Sequence, residues 1–190
     1  LSKSGTVQIT RVEGVVHTEA MSGKVGIDDI TGDVTAISRS GSLLVERVRG
    51  DVAADARSGK VVVNHVQGNV EIDARSGTVE VADVTGDVKI ASRSGSVTID
   101  DVRGGMNVKS RAGSTRYRGR VLADSEFEAV AGSIHLAVDP DFPFFVDAES
   151  LAGSVRSDLP PRRNGAAPAS GGPKVRLRTR AGSIRLSKLD

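Results

Sequence analysis

Glycine recurs every nine residues from Gly5 to Gly113, at Gly5, Gly14, Gly23, Gly32, Gly41, Gly50, Gly59, Gly68, Gly77, Gly86, Gly95, Gly104 and Gly113. The spacing is a double unit, because ARSGKVVVNHVQGNVEID (Ala56 to Asp73) is followed directly by ARSGTVEVADVTGDVKIA. A repeat this short cannot bury an apolar face by itself. It must stack on its neighbours, which is the logic of a solenoid.

Within one unit the apolar residues alternate with polar ones. Val61, Val63 and Val66 fill one half, and Val70, Ile72 and Ala74 the other. The same slots hold Val25, Ile27, Ile30, Val34 and Ala36, then Val79, Val81, Val84, Val88 and Ile90, then Val97, Ile99, Val102, Met106 and Val108. Alternation of this kind marks short strands with one face buried. The 22 glycines, the valine-rich strands and the absence of tryptophan suit strands joined by tight turns.

These features predict an all-β chain, a single parallel β-helix (β-solenoid) domain over residues 1–190 with about 18 residues per coil. Roughly ten coils at about 4.8 Å per strand spacing would make a rod ~50 Å long, right-handed by the rule for parallel crossovers. Residues 1–113 form the regular coils. Residues 114–190 form irregular C-terminal coils, in which the Arg-Ser-Gly triplet becomes Ala-Gly-Ser at Ala112, Ala131, Ala152 and Ala181. A Pro-, Gly- and Ala-rich stretch, 159–173, reads as a loop, with strands resuming at Lys174 to Thr179 and Ile184 to Leu186.

The two glycines of each unit are expected at corners that need positive φ, with Asp33, Asp51, Asn69 and Asp87 bonding nearby backbone at the second corner. All five aromatic residues, Tyr117, Phe127, Phe142, Phe144 and Phe145, lie toward the C-terminal end, where larger side chains would widen or close the core. The sequence starts inside a repeat, which points to an upstream segment such as a signal, an anchor or another domain. No apolar run approaches the roughly 20 residues needed to span a bilayer as a helix.

The most regular polar feature is Arg39, Arg57, Arg75, Arg93 and Arg111, eighteen residues apart. Stacked one strand spacing apart, these guanidinium groups repel and need partners. Asp55 and Asp73, or the corner residues Asp33, Asp51 and Asp87, would supply them as a surface ion-pair network. Left unpaired, the arginines would instead form a stripe for an anionic polymer such as an acidic polysaccharide, a teichoic-type phosphate or a nucleic acid. A net charge of +2 gives no global case for a specific nucleic-acid partner. From Arg156 onward there are nine Lys or Arg against two Asp, a local basic region.

Little in the chain points to chemistry. There is no cysteine, and therefore no disulfide or thiolate site. The nine-residue units carry one glycine each, so the G-G-x-G-x-D pattern of calcium-loaded β-rolls is missing, and Asp28-Asp29 and Asp100-Asp101 are ordinary surface carboxylates. His17, His65 and His135 fall at different repeat positions and would not cluster. No nucleophile elbow, P-loop or H-E-x-x-H occurs. No catalytic, metal or cofactor site is expected.

The repeated unit Ser92 to Gly104 (SRSGSVTIDDVRG) and the closing pattern FFVDAESLAGSVR at Phe144 to Arg156, a Pro/Gly-rich loop and KVRLRTRAGSIRL at Lys174 to Leu186 together resemble a bacterial adhesin-type domain family. This is a right-handed β-helix family long classed as a domain of unknown function. The resemblance spans essentially the whole chain and implies an extracytoplasmic place in the bacterial envelope or on the surface, often behind a membrane anchor. Composition alone fits the cytoplasm equally. The expected role is a non-enzymatic surface or adhesion-type module, with an anionic polysaccharide or another envelope protein as partner. Two alternatives stand beside it, a self-assembling scaffold stacking through solenoid ends and a binder of anionic polymer through the arginine ladder.

Overall fold

The computed structural model describes residues 3–139, 144–159 and 172–189. Phe142 and most of the expected loop lie outside these residues. The described chain is all-β, a single parallel sheet of twelve strands wound as a solenoid. The strands are β1 (Thr6–Glu13), β2 (Val16–Thr31), β3 (Val34–Arg49), β4 (Val52–Val66), β5 (Val70–Val84), β6 (Val88–Val102), β7 (Met106–Gly119), β8 (Ser125–Val138), β9 (Phe145–Ala152), β10 (Val155–Ser157), β11 (Lys174–Ala181) and β12 (Ile184–Lys188). The seven long strands β2 to β8 are each one full coil, fewer than the roughly ten expected. The rest of the chain is split into shorter strands.

Register repeats every 18 residues, as in Val34↔Val52, Val52↔Val70 and Val70↔Val88. All the apolar slots read from the sequence are buried, from Val25 and Ile27 through Val63 and Ile72 to Ile99 and Val108. Each aliphatic side chain so buried contributes on the order of 1.5–3 kcal/mol before chain entropy is counted. The two-residue inward spacing from Leu43 to Val45 lengthens to three at Val48, because a residue between them, Arg47, turns left-handed. Arg11, Asp29, Arg47, His65, Asp83 and Asp101 have φ of 47–57°. This non-glycine corner, one in each of β1 to β6, breaks the simple alternation and brings Ile30, Val48, Val66, Val84 and Val102 inward.

The glycine corners are of two kinds. The Gly23, Gly41, Gly59, Gly77, Gly95 and Gly113 column has φ of 115–125°. A Cβ on Gly77 would sit 1.9 Å from the Gly59 carbonyl oxygen, so these positions have neither conformational nor spatial room for a side chain. The second column was expected to need positive φ throughout and does so only at Gly14, Gly32 and Gly50. At Gly68, Gly86 and Gly104 the requirement is spatial, since a Cβ on Gly86 would lie 2.4 Å from the Gly68 oxygen.

Beside that column runs a ladder of side-chain to backbone bonds between coils. The backbone N–H groups of Asp51, Asn69, Asp87 and Gly105 donate to Oδ1 of Asp33, Asp51, Asn69 and Asp87 at 2.9, 2.7, 2.9 and 2.7 Å.

The C-terminal coils depart from chain order. After β8 the order is β11 and then β9, and β12 pairs with both β8 and β10. Residues 174–188 are therefore slotted between the coil of β8 and the coil made earlier in the sequence by β9 and β10. The glycine column follows the same path. A Cβ on Gly182 would meet the Gly132 oxygen, and one on Gly153 the Gly182 oxygen. Tyr117 and Phe127 are fully buried with ring centroids 6.1 Å apart, and Phe144 is buried, so the larger side chains do fill the core toward this end. Phe145 stays partly exposed.

Candidate binding site: the arginine column

The Arg-Ser-Gly triplet has a distinct job for each residue. Glycine allows the coils to touch. Serine bonds back one coil, with Oγ of Ser58, Ser76 and Ser94 donating to the carbonyl oxygens of Arg39, Arg57 and Arg75 at 3.1–3.2 Å. Arginine is left facing water, and all five members of the column are exposed.

Flanking pairs fix their register. Ser38↔Ala56 and Ser40↔Ser58 bracket Arg39 and Arg57, and the same brackets recur through Ser92↔Ser110 and Ser94↔Ala112. The five guanidinium groups thus rise one strand spacing per coil, as the repeat predicts. The expected ion-pair network does not form. Among the described residues the ion pairs are made by other cations, including Arg47, Lys60, Lys89, Lys109, Arg118, Arg176 and Arg185, and none of the five column arginines takes part.

The reason is visible for the corner residues. Asp33, Asp51 and Asp87 accept backbone N–H bonds from the next coil and are held at their own corner. Asp55 and Asp73 lie two residues along a strand from their arginines, a Cα separation of ~7 Å. Both are exposed without a carboxylate-to-guanidinium contact. The column continues past Arg111 to Val130, Arg180 and Leu151, bracketed by Thr179↔Ala129, Ala181↔Ala131, Thr179↔Ser150 and Ala181↔Ala152. Val130 and Leu151 are exposed, and they flank Arg180 over a shallow groove of about 310 Å³.

Other titratable groups are dispersed. His17 is in register with Thr35 and His135 with Arg116, while His65 occupies the left-handed corner 3.3 Å from Asp83. Burial, then Arg116 and Arg185, hold the His135 pKa below its ordinary value against the opposing pull of Asp158. Its Nε2 lies 3.0 Å from the Ser187 hydroxyl. Tyr117 donates to the Arg120 carbonyl at 2.6 Å, and burial followed by Asp101 and Asp100 raises its pKa.

Of the two aspartate pairs, Asp28 is paired with Arg47, and Asp100 lies 3.3 Å from Arg118, while Asp29 and Asp101 are the left-handed residues. No group of three or more His, Cys, Asp or Glu that could hold a metal occurs among the described residues. The left-handed corners were not legible because their occupants, two basic residues, a histidine and three aspartates, share no type.

A parallel β-solenoid carrying a row of unpaired cations on one outward face is a repeat scaffold that presents the same side chain many times. One family match agrees with the β-solenoid fold. The sequence model of the Toastrack DUF4097 family covers residues 6–187, and the chain belongs to that family, a domain of unknown function. This bears out the resemblance to a bacterial β-helix family. No curated protein and no solved structure matches the chain.

Proposed function

We propose that this domain is a non-catalytic binding module of the bacterial cell envelope, and that its arginine column holds an extended anionic polymer, an acidic polysaccharide being the favoured class. The observation that carries the reading is the column itself, five exposed guanidinium groups in register without a carboxylate partner. Unpaired cations one strand spacing apart repel each other by up to about 1 kcal/mol per neighbouring pair in water, less once salt and side-chain motion screen them. A linear polyanion lying along the solenoid axis relieves that repulsion at every coil. Each contact is weak, and affinity comes from their number.

Planar guanidinium forks suit carboxylate and phosphate groups alike, and the straight spacing favours an extended polymer over a compact anion. The dispersion of the histidines and the opening of the His65–Asp83 pair to water support a non-catalytic role.

The test is retention on an immobilised acidic glycan at low and high ionic strength, comparing the parent chain with a variant carrying Arg57→Gln, Arg75→Gln and Arg93→Gln. The parent should elute earlier as salt rises, and the variant should lose most of its retention while keeping its β-rich circular dichroism. Retention indifferent to salt, or equal in the two proteins, would refute the assignment.

A further inference from the structure

The out-of-order coils carry a charge pattern independent of the arginine column. The outward residues of β8 are Glu126 and Glu128, those of β11 are Arg176 and Arg178, and those of β9 are Asp147 and Glu149. They stand side by side as Glu126–Arg176–Asp147 and Glu128–Arg178–Glu149. Arg176 contacts both neighbours, at 3.4 Å to Glu126 and 4.0 Å to Asp147.

Had β9 followed β8 directly in this register, Glu126 would face Asp147 and Glu128 would face Glu149, like charges across a strand pair. The acidic row of β9 therefore rejects an acidic neighbour and accepts a basic one. Among the described residues its charges are answered on one side only. Among the described residues β9 pairs only with β11 and β10 only with β12. Along that open side Leu151 is 73% exposed and Val155 45%. An edge of this kind presents backbone N–H and C=O groups ready to pair with an added strand.

We propose that the free edge of β9 is a docking edge for an extended basic segment of a partner protein. The segment adds as a parallel strand, with alternate Lys or Arg residues beside Asp147, Glu149 and Leu151, the last covering the leucine with its aliphatic stem. The molecule shows the preference once already, since β11 meets the opposite side of β9 with this pattern, KVRLRTRA. A second copy is a poor occupant, because its basic strand β11 is enclosed between two acidic ones and its other end strand, β1 (TVQITRVE), carries one basic residue rather than an alternating row.

The experiment is fluorescence anisotropy of a labelled synthetic peptide, KVRLRTRA, titrated with the full chain. Saturable binding is expected, at least tenfold weaker for Asp147→Asn with Glu149→Gln, weakened also by Leu151→Gln, and unchanged by the three arginine substitutions above. A peptide with Glu at each basic position should not bind. A disulfide between Glu128→Cys and Arg178→Cys, which fixes β11 to β8, separates edge addition from displacement of β11. Binding that survives the lock supports the edge, and binding lost on locking overturns it. Indifference to the Asp147 and Glu149 changes overturns the proposal, as does a concentration-dependent oligomer of the parent chain that competes with the peptide.

Discussion

The contact between stacked glycines can be dissected by four alanine substitutions that separate backbone conformation from space. At Gly26 a Cβ would meet nothing within 4 Å and φ is not left-handed. At Gly5 φ is +108° but the space is open. At Gly86 the obstacle is the Gly68 oxygen at 2.4 Å without a left-handed φ, and at Gly77 the Gly59 oxygen at 1.9 Å is combined with φ of +122°. Taking 3.4 Å as the near limit of ordinary contact, the coils must part by 3.4 − 2.4 = 1.0 Å at Gly86 and by 3.4 − 1.9 = 1.5 Å at Gly77.

Parting by 1.0 Å takes the Gly86 N–H, now 3.1 Å from the Gly68 oxygen, beyond hydrogen-bond range. Gly26→Ala should be neutral or stabilise by about 0.5 kcal/mol. Gly5→Ala should cost about 1–2 kcal/mol from backbone strain, and Gly86→Ala about 2–3 kcal/mol from the lost bond and the misfit. Gly77→Ala combines both penalties and should exceed about 4 kcal/mol. Urea unfolding followed by far-UV circular dichroism gives the ranking. For Gly5, in the first coil, the sharper readout is amide exchange of Lys24, whose N–H donates to the Gly5 carbonyl at 3.0 Å. If Gly77→Ala falls within about 1 kcal/mol of Gly26→Ala, a threshold well under the combined penalties, the stacked column is not what sets the glycine period.

Three other outcomes are expected. Asp51→Ala should lose about 1–2 kcal/mol in the same unfolding assay, and Asp51→Asn less than half of that, because Asn69 already accepts the equivalent N–H one coil on. Reversing Arg176 and Arg178 to Glu places like charges on both sides of β11, so hydrogen exchange should accelerate in β9 to β12 while β2 to β6 stay protected. His135 has its folded pKa lowered, so the unfolded chain binds the extra proton first. Stability should fall as pH drops from the ordinary value of 6.5 toward the depressed one, and His135→Gln should flatten that part of a stability-versus-pH curve.

The solenoid was legible because its period is enforced residue by residue. Most inward slots are aliphatic, with Ser or Thr at a few such as Ser38 and Ser92, and the tightest stacked corner is glycine in every coil, so Val61, Val63, Val66, Val70, Ile72 and Ala74 announce the pattern in a single coil. The arginine column was legible as a column, but the state of its charges was not. Sequence proximity to Asp55 and Asp73 promised pairing, whereas the corner aspartates had already been claimed by backbone N–H groups. The coil order failed differently. Gly132, Gly153 and Gly182 mark three coils without saying which lies beside which. The information was present in the charges of Glu126 and Glu128, Asp147 and Glu149, and Arg176 and Arg178, a pattern that becomes readable only as rows across strands.

The inverted order also bears on how the chain is made. Coils from β1 to β8 can assemble in the order in which they leave the ribosome, each on a template already in place. Phe145 to Ser157 cannot, since their strand neighbours, Lys174 to Lys188, are synthesised later. This segment has to wait as an unseated acidic strand until a basic one follows it out. Closure of this end thus waits until residues 174–188 have emerged, and a ribosome that stalls between residues 158 and 173 leaves seven finished coils beneath a rung with nothing to rest on.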